Sequence, residues 1–165
     1  MPAIAYIALG SNLGDSRSHL LRALERLQEL SDQPLAKSAL FETTPVDCPP
    51  GSPPFLNAVA GLVPRAGETP ESLLAKLQKL ELEFGRTVKK VLNEPRPLDL
   101  DLIAFGNETR ATPQLTLPHP RAHLRRFVLE PLTEIAPGLI LPGQGGSVAT
   151  LLRQLTSAEV VRKLQ

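Results

Sequence analysis

The spacing of apolar positions along the chain changes several times, and each change marks an element. Residues 3–9 form an apolar run containing Tyr6 and Ile7 and closed by Gly10, Ser11 and Asn12, the pattern of a buried strand entering a turn. From Asp15 the period becomes helical. Leu20, Leu21, Leu24, Leu27 and Leu30 recur with charged residues between them, and Asp15 or Ser16 is placed to cap the start. Residues 35–43 and 55–63 then predict two strands. Between them Pro45, Pro49, Pro50, Gly51, Pro53 and Pro54 prevent regular structure and leave a loop suited to cover a ligand.

A second helix is punctuated at both ends. Thr69 stands at the cap, Pro70 at the first helical position, Leu73, Leu74, Leu77 and Leu80 on the apolar side, and Gly85 just past the end. A basic loop with Arg86, Lys89, Lys90 and Arg96 follows, and prolines 95 and 97 delay the next strand to residues 98–105. There Leu98, Leu100 and Leu102 alternate with Asp99 and Asp101, and Gly106-Asn107 ends the run. The order strand, helix, strand, strand, helix, strand is the split pattern of an α+β, ferredoxin-like βαββαβ core, in which an antiparallel sheet carries both helices on one face. The last third adds a short strand at 115–117, helical segments at 123–129 and 132–136, and a helix from about Val148. Pro131 is expected to break or kink the middle stretch.

Composition narrows the function. A chain of 165 residues with 42% hydrophobic content can bury one core, so a single domain over 1–165 is expected. Eighteen basic and 17 acidic residues leave a net charge of +1, so no global field draws the chain to nucleic acid or an anionic membrane. An aromatic content of 4% is too low for a sheet that stacks RNA bases. Cys48 is the only cysteine, which excludes an internal disulfide or a multi-cysteine zinc site. No run reaches membrane-spanning length and the start lacks a signal-peptide pattern, so the expectation is a soluble cytoplasmic protein; a monomer is expected as well.

The chemistry centres on Asp99 and Asp101. Two apart on a strand, they point to one face from α-carbons roughly 6.6 Å apart. Arg86 and Arg96 in the preceding loop put guanidinium groups beside those hard carboxylate oxygens. Anions for a metal and cations for phosphates are what a magnesium-bound polyphosphate requires. There is no Gly-x-x-x-x-Gly-Lys-Ser/Thr loop. His119, bracketed by Pro118 and Pro120, is held outward as a turn residue or a phosphate contact, while His19 and His123 read as structural. Phe55 and Phe127 are two of only six aromatics and either pack in the core or hold a flat heterocycle.

Taken together, Ala8-Leu9-Gly10-Ser11-Asn12-Leu13-Gly14, Phe55-Leu56-Asn57-Ala58, Gly85-Arg86, Pro95-Arg96-Pro97-Leu98-Asp99-Leu100-Asp101-Leu102 and Leu117-Pro118-His119-Pro120 closely resemble the 6-hydroxymethyl-7,8-dihydropterin pyrophosphokinase family of folate biosynthesis. The resemblance runs from about residue 4 to 142. It implies diphosphate transfer from ATP to the pterin hydroxymethyl group, giving AMP, with Asp99 and Asp101 holding two magnesium ions. It further implies that Arg86 and Arg96 stabilise the transferred phosphates and that Gln78, Glu81, Leu102, Thr116, His119 and Arg125 line the ATP site. The pterin would lie between Phe55 and Phe127, with Asn57 on its edge and Gly10, Thr43, Pro45 and Val46 around it. Val88 and Asn93 stand where well-known members of the family have an arginine and a tryptophan, and Gln114 and Pro120 replace an arginine and a tyrosine. The consequence expected is weaker nucleotide binding with retained chemistry, Lys89 or Lys90 supplying part of the lost charge. The rival reading is a non-catalytic ferredoxin-like ligand-binding module, which predicts no AMP formation.

Overall fold

The central strand, β1 (Ala5–Ser11), is buried along nearly its whole length, as a run that is apolar on both faces requires. In this computed structural model, which describes residues 3–43, 53–85, 97–157 and 159–164, β1 lies between β4 (Phe55–Leu62) and β5 (Asp99–Phe105), antiparallel to both. Next to β4 comes β3 (Phe41–Thr43), and outside it β8 (Val161–Lys163), giving the order β5-β1-β4-β3-β8. The short β2 (Ala36–Lys37) pairs with the other end of β4. Apart from β8 this is the sheet expected of the ferredoxin-like core.

Both long helices cover one face, as the sequence predicts. α1 (Ser16–Leu30) and α2 (Pro70–Glu83) bring Leu20, Leu24, Leu27, Leu73 and Leu77 against Ile7, Leu9, Leu100 and Leu102 of the sheet. The start signals work as written: the Asp15 side chain accepts from the Ser18 amide at 3.1 Å, and Thr69 and Ser72 form a reciprocal capping box. Each such cap is worth about 1 kcal/mol. Gly85 closes α2 with φ +94°, a backbone conformation that glycine enters without strain.

The opposite face is covered over part of its length by α3 (Arg126–Ile135) and α4 (Val148–Gln154), whose Val128, Leu129, Leu132 and Val148 pack on Ala8, Val59, Ile103 and Ala104. A two-stranded ribbon of β6 (Arg110–Ala111) and β7 (Thr116–Leu117), followed by a 3-10 turn at Ala122–Leu124, leads into α3.

Two expectations need correction, and one strand was not expected. Residues 35–43 are two strands, interrupted at Ser38: its amide donates to Val59 O while its hydroxyl accepts from Val59 N, both at 2.9 Å, so a side chain replaces a main-chain acceptor in the ladder. Pro131 does not break α3. Its missing amide costs about 3 kcal/mol, whereas burying Val128, Leu129 and Leu132 contributes about 1.5–3 kcal/mol apiece, so packing outweighs the lost bond. The chain also returns to the sheet after α4: Phe41 lies opposite Lys163, and the Leu164 amide donates to Leu40 O at 2.8 Å. No helix among the described residues is long and apolar enough to cross a membrane.

Candidate active site

Among the described residues, four strands bring the same end together: β1 through Gly10 and Ser11, β3 through Thr43, β4 through Phe55, and β5 through Asp99. The register sets their side chains in rows. Asp99 lies opposite Gly10, Gly10 opposite Asn57, and Asn57 opposite Phe41; Asp101 lies opposite Ala8, which lies opposite Val59. Directly opposed residues of antiparallel strands share a face. Asp99, Asp101, Gly10, Asn57, Phe55 and Thr43 therefore lie on the face that α3 and α4 cover farther along. The carboxylates are half-buried at the margin of that cover.

Gly10 makes room in this row. A β-carbon there would come within 3.1 Å of Asn57 Nδ2 and 3.7 Å of Phe55 Cδ1, so both side chains fold over bare backbone. Asn57 is almost fully buried, and its Oδ1 accepts from the Thr43 hydroxyl at 2.7 Å. That bond leaves the carboxamide nitrogen as the donor end of Asn57. Asn12, also buried, donates to Pro53 O at 3.4 Å and ties the turn after β1 to the approach to β4. At the start of α3, Phe127 is partly buried, and Arg125 Cζ sits 5.5 Å from its ring centroid.

Along its outer edge β5 is met by two other elements. The Glu81 carboxylate of α2 accepts from the Leu100 amide at 2.7 Å, and Ile103 O accepts from the His119 amide at 2.8 Å, after a cis Leu117-Pro118 bond. Between and beyond the aspartates, the edge is thus met by the elements that carry predicted nucleotide residues. Gln78 is exposed on α2 and Thr116 exposed on β7. Arg110 ties the ribbon to α2 through Glu71 at 2.7 Å, and this hydrogen bond holds the Glu71 carboxyl below its usual range. Leu102, by contrast, puts its side chain in the helix-side core, so only its main chain is available to a ligand at the edge.

His119 has a defined tautomer. Its Nδ1 accepts from the Arg121 amide at 3.2 Å, which leaves Nε2 to carry the hydrogen. Burial pushes its pKa down, the charges of Arg125 and Arg121 push the same way, and Asp99 opposes them. Nothing in the sequence reading singled out Arg121, although its place two residues past His119 was the available signal. Arg86, Arg96, Pro45 and Val46 lie outside the described residues, as do Lys89, Lys90, Val88, Asn93 and Cys48.

No cluster of three or more His, Cys, Asp or Glu side chains converges among the described residues. The Asp99 and Asp101 pair nevertheless fits magnesium, which takes one or two carboxylates and fills its remaining positions with phosphate oxygens and water.

A family model described as 7,8-dihydro-6-hydroxymethylpterin-pyrophosphokinase matches residues 6–137. The chain belongs to this pyrophosphokinase family. The matched span takes in the four strands of the ferredoxin-like core except the first residue of β1 and reaches past Phe127, while α4 and β8 lie beyond it. A pyrophosphokinase of Haemophilus influenzae that acts, by its name, on 2-amino-4-hydroxy-6-hydroxymethyldihydropteridine is 37% identical over 158 residues, 96% of each chain. One of the same name from Pseudomonas aeruginosa is 41% identical over 138 residues, 83% of each chain. A folic acid synthesis protein of Pneumocystis carinii is 36% identical over 94% of this chain, but the chain spans only 20% of that protein. Among solved structures, a Plasmodium falciparum HPPK-DHPS chain superposes with a TM-score of 0.70 at 15% identity, covering 93% of this chain and 45% of that one, a likeness of fold.

Proposed function

We propose that this sheet end is where this member of the pyrophosphokinase family transfers diphosphate from ATP to the hydroxymethyl group of 6-hydroxymethyl-7,8-dihydropterin, a step of folate biosynthesis. The observation that carries this is the row Asp99, Gly10, Asn57, with Asp101 on the same face. It sets a metal-binding carboxylate pair beside a buried carboxamide donor, one for each half of the reaction. In the transfer the pterin hydroxymethyl oxygen bonds to the β-phosphorus of ATP, the bond from that phosphorus to the α,β-bridging oxygen breaks, AMP departs, and the hydroxyl proton is released.

Asn57 would donate to the pterin edge from over Gly10, with Phe55 and Phe127 on the ring faces and Thr43, Pro45 and Val46 around it. Asp99 and Asp101 would hold magnesium, two ions on the resemblance, and when bound the metal neutralises charge on the phosphates and fixes their geometry. Gln78, Glu81, Thr116, His119, Arg125 and the main chain of Leu102 would receive ATP along the outer edge of β5. Arg86 and Arg96 would add positive charge to the phosphates in flight. Catalysis on this reading is positioning and electrostatics, with the acceptor oxygen aligned on the β-phosphorus. The reading takes residues 1–165 as a single domain that acts as a monomer.

A non-catalytic binding module has no use for paired carboxylates at the end of an edge strand. Incubating the protein with ATP and magnesium, with and without 6-hydroxymethyl-7,8-dihydropterin, separates the two: pterin-dependent AMP is expected, and AMP formed equally without pterin, or ADP instead, contradicts the proposal.

A further inference from the structure

Three arginines follow His119 within seven residues, and their surroundings differ. Arg126 pairs with Glu130 at 3.4 Å and donates to Leu155 O, which anchors the start of α3. Arg125 lies against the Phe127 ring. The Arg121 side chain is exposed and makes no ion pair, ring contact or hydrogen bond with any described residue. Arg26, Arg65, Arg110 and Arg162 each meet a carboxylate.

Arg121 is not placed at random. Its amide donates to Nδ1 of His119 at 3.2 Å, so its side chain springs from the turn that holds the imidazole, and its charge acts on that ring together with those of Arg125 and Asp99. The same amide makes Nε2 of His119 a neutral donor. A neutral donor can bind a polyphosphate oxygen but leaves its charge uncompensated. A guanidinium beside it supplies the missing charge and a planar pair of N–H groups that fits phosphate oxygens.

We infer that Arg121 is a further nucleotide-binding residue of this enzyme, its guanidinium taking a non-bridging phosphate oxygen of ATP beside Nε2 of His119. The inference rests on the reading that the His119 side of β5 receives ATP.

The test is direct binding of the α,β-methylene analogue of ATP, with magnesium, to the whole chain by calorimetry, together with steady-state kinetics. Arg121→Ala is expected to weaken analogue binding and raise KM for ATP roughly tenfold, the scale of one charge-assisted contact, with KM for pterin unchanged. Arg121→Lys restores part of the loss. Arg153→Ala, on α4, serves as the control for loss of one surface charge and leaves both values as in wild type. Wild-type analogue affinity in Arg121→Ala overturns the inference, as does a loss that Arg153→Ala reproduces. If wild type binds the analogue but releases no pterin-dependent AMP, the reaction assigned above fails; weaker analogue binding by Arg121→Ala still supports the contact. Absence of analogue binding by wild type overturns both.

Discussion

The Thr43 hydroxyl donates to Asn57 Oδ1 at 2.7 Å, and the other end of the same carboxamide stands where a β-carbon on Gly10 would come within 3.1 Å. One hydroxyl on β3 therefore decides which end of a buried amide on β4 lies over Gly10. Thr43→Val keeps the shape and removes the donor. We expect a stability loss of about 1–3 kcal/mol from the unsatisfied buried oxygen. KM for pterin should rise several-fold while KM for ATP stays the same, and Thr43→Ser should restore both the stability and the pterin KM; an unchanged pterin KM in Thr43→Val separates this bond from substrate binding.

Gly10→Ala tests the other side of the contact. The new methyl must displace Asn57 Nδ2 or bend β1, an overpacking cost of about 1–3 kcal/mol. Pterin titration by fluorescence is expected to show weaker binding than wild type, with the melting temperature lowered. Wild-type pterin affinity in this variant would mean that the row does not contact the ring.

Glu81 links α2 to the strand between the two aspartates, through the Leu100 amide at 2.7 Å. Removing a hydrogen bond to a charged group costs about 1.5–3 kcal/mol. In Glu81→Ala the Leu100 amide should exchange with deuterium much faster and turnover should fall, whereas Glu81→Gln, which keeps an acceptor, stays near wild type in exchange. Equal protection in all three proteins would show that the bond does not hold β5.

Burial and the charges of Arg125 and Arg121 disfavour the imidazolium of His119, so in the protein free of nucleotide and metal it titrates below the ordinary histidine value of about 6.5. The unfolded chain then takes up the proton first. Stability from this group is present above the ordinary value and is lost as pH falls through the window between the ordinary and the depressed value. Nitrogen-detected NMR should show the Nε2–H tautomer and this lowered midpoint, and Arg121→Ala should raise the midpoint by removing a like charge. A midpoint above the ordinary value, or the Nδ1–H tautomer, contradicts the geometry.

What the sequence makes legible follows from how local each signal is. Asp15 and the Thr69-Pro70 pair start their helices as read, because a cap is settled within four residues. The alternation of Leu98, Leu100 and Leu102 with Asp99 and Asp101 assigns both faces of β5, because a strand's period fixes side. The break at Ser38 was not legible, since it depends on Val59 across the sheet. Nor was β8, three residues of which two are charged, which forms only because β3 offers an edge. At the site, the motifs name Asp99, Asn57 and Gly10 separately, and register alone puts them in one row. Arg121 went unread because its relation to His119 depends on the direction of one amide.

The most direct measurement is AMP release from ATP and magnesium, in the presence of 6-hydroxymethyl-7,8-dihydropterin, by wild type beside Asp101→Asn. The account predicts pterin-dependent AMP from wild type and almost none from the variant, which still folds, because one of the two carboxylates proposed to hold the metal is gone. Near-wild-type release by Asp101→Asn would contradict the metal role of the aspartate pair on which the proposed mechanism depends.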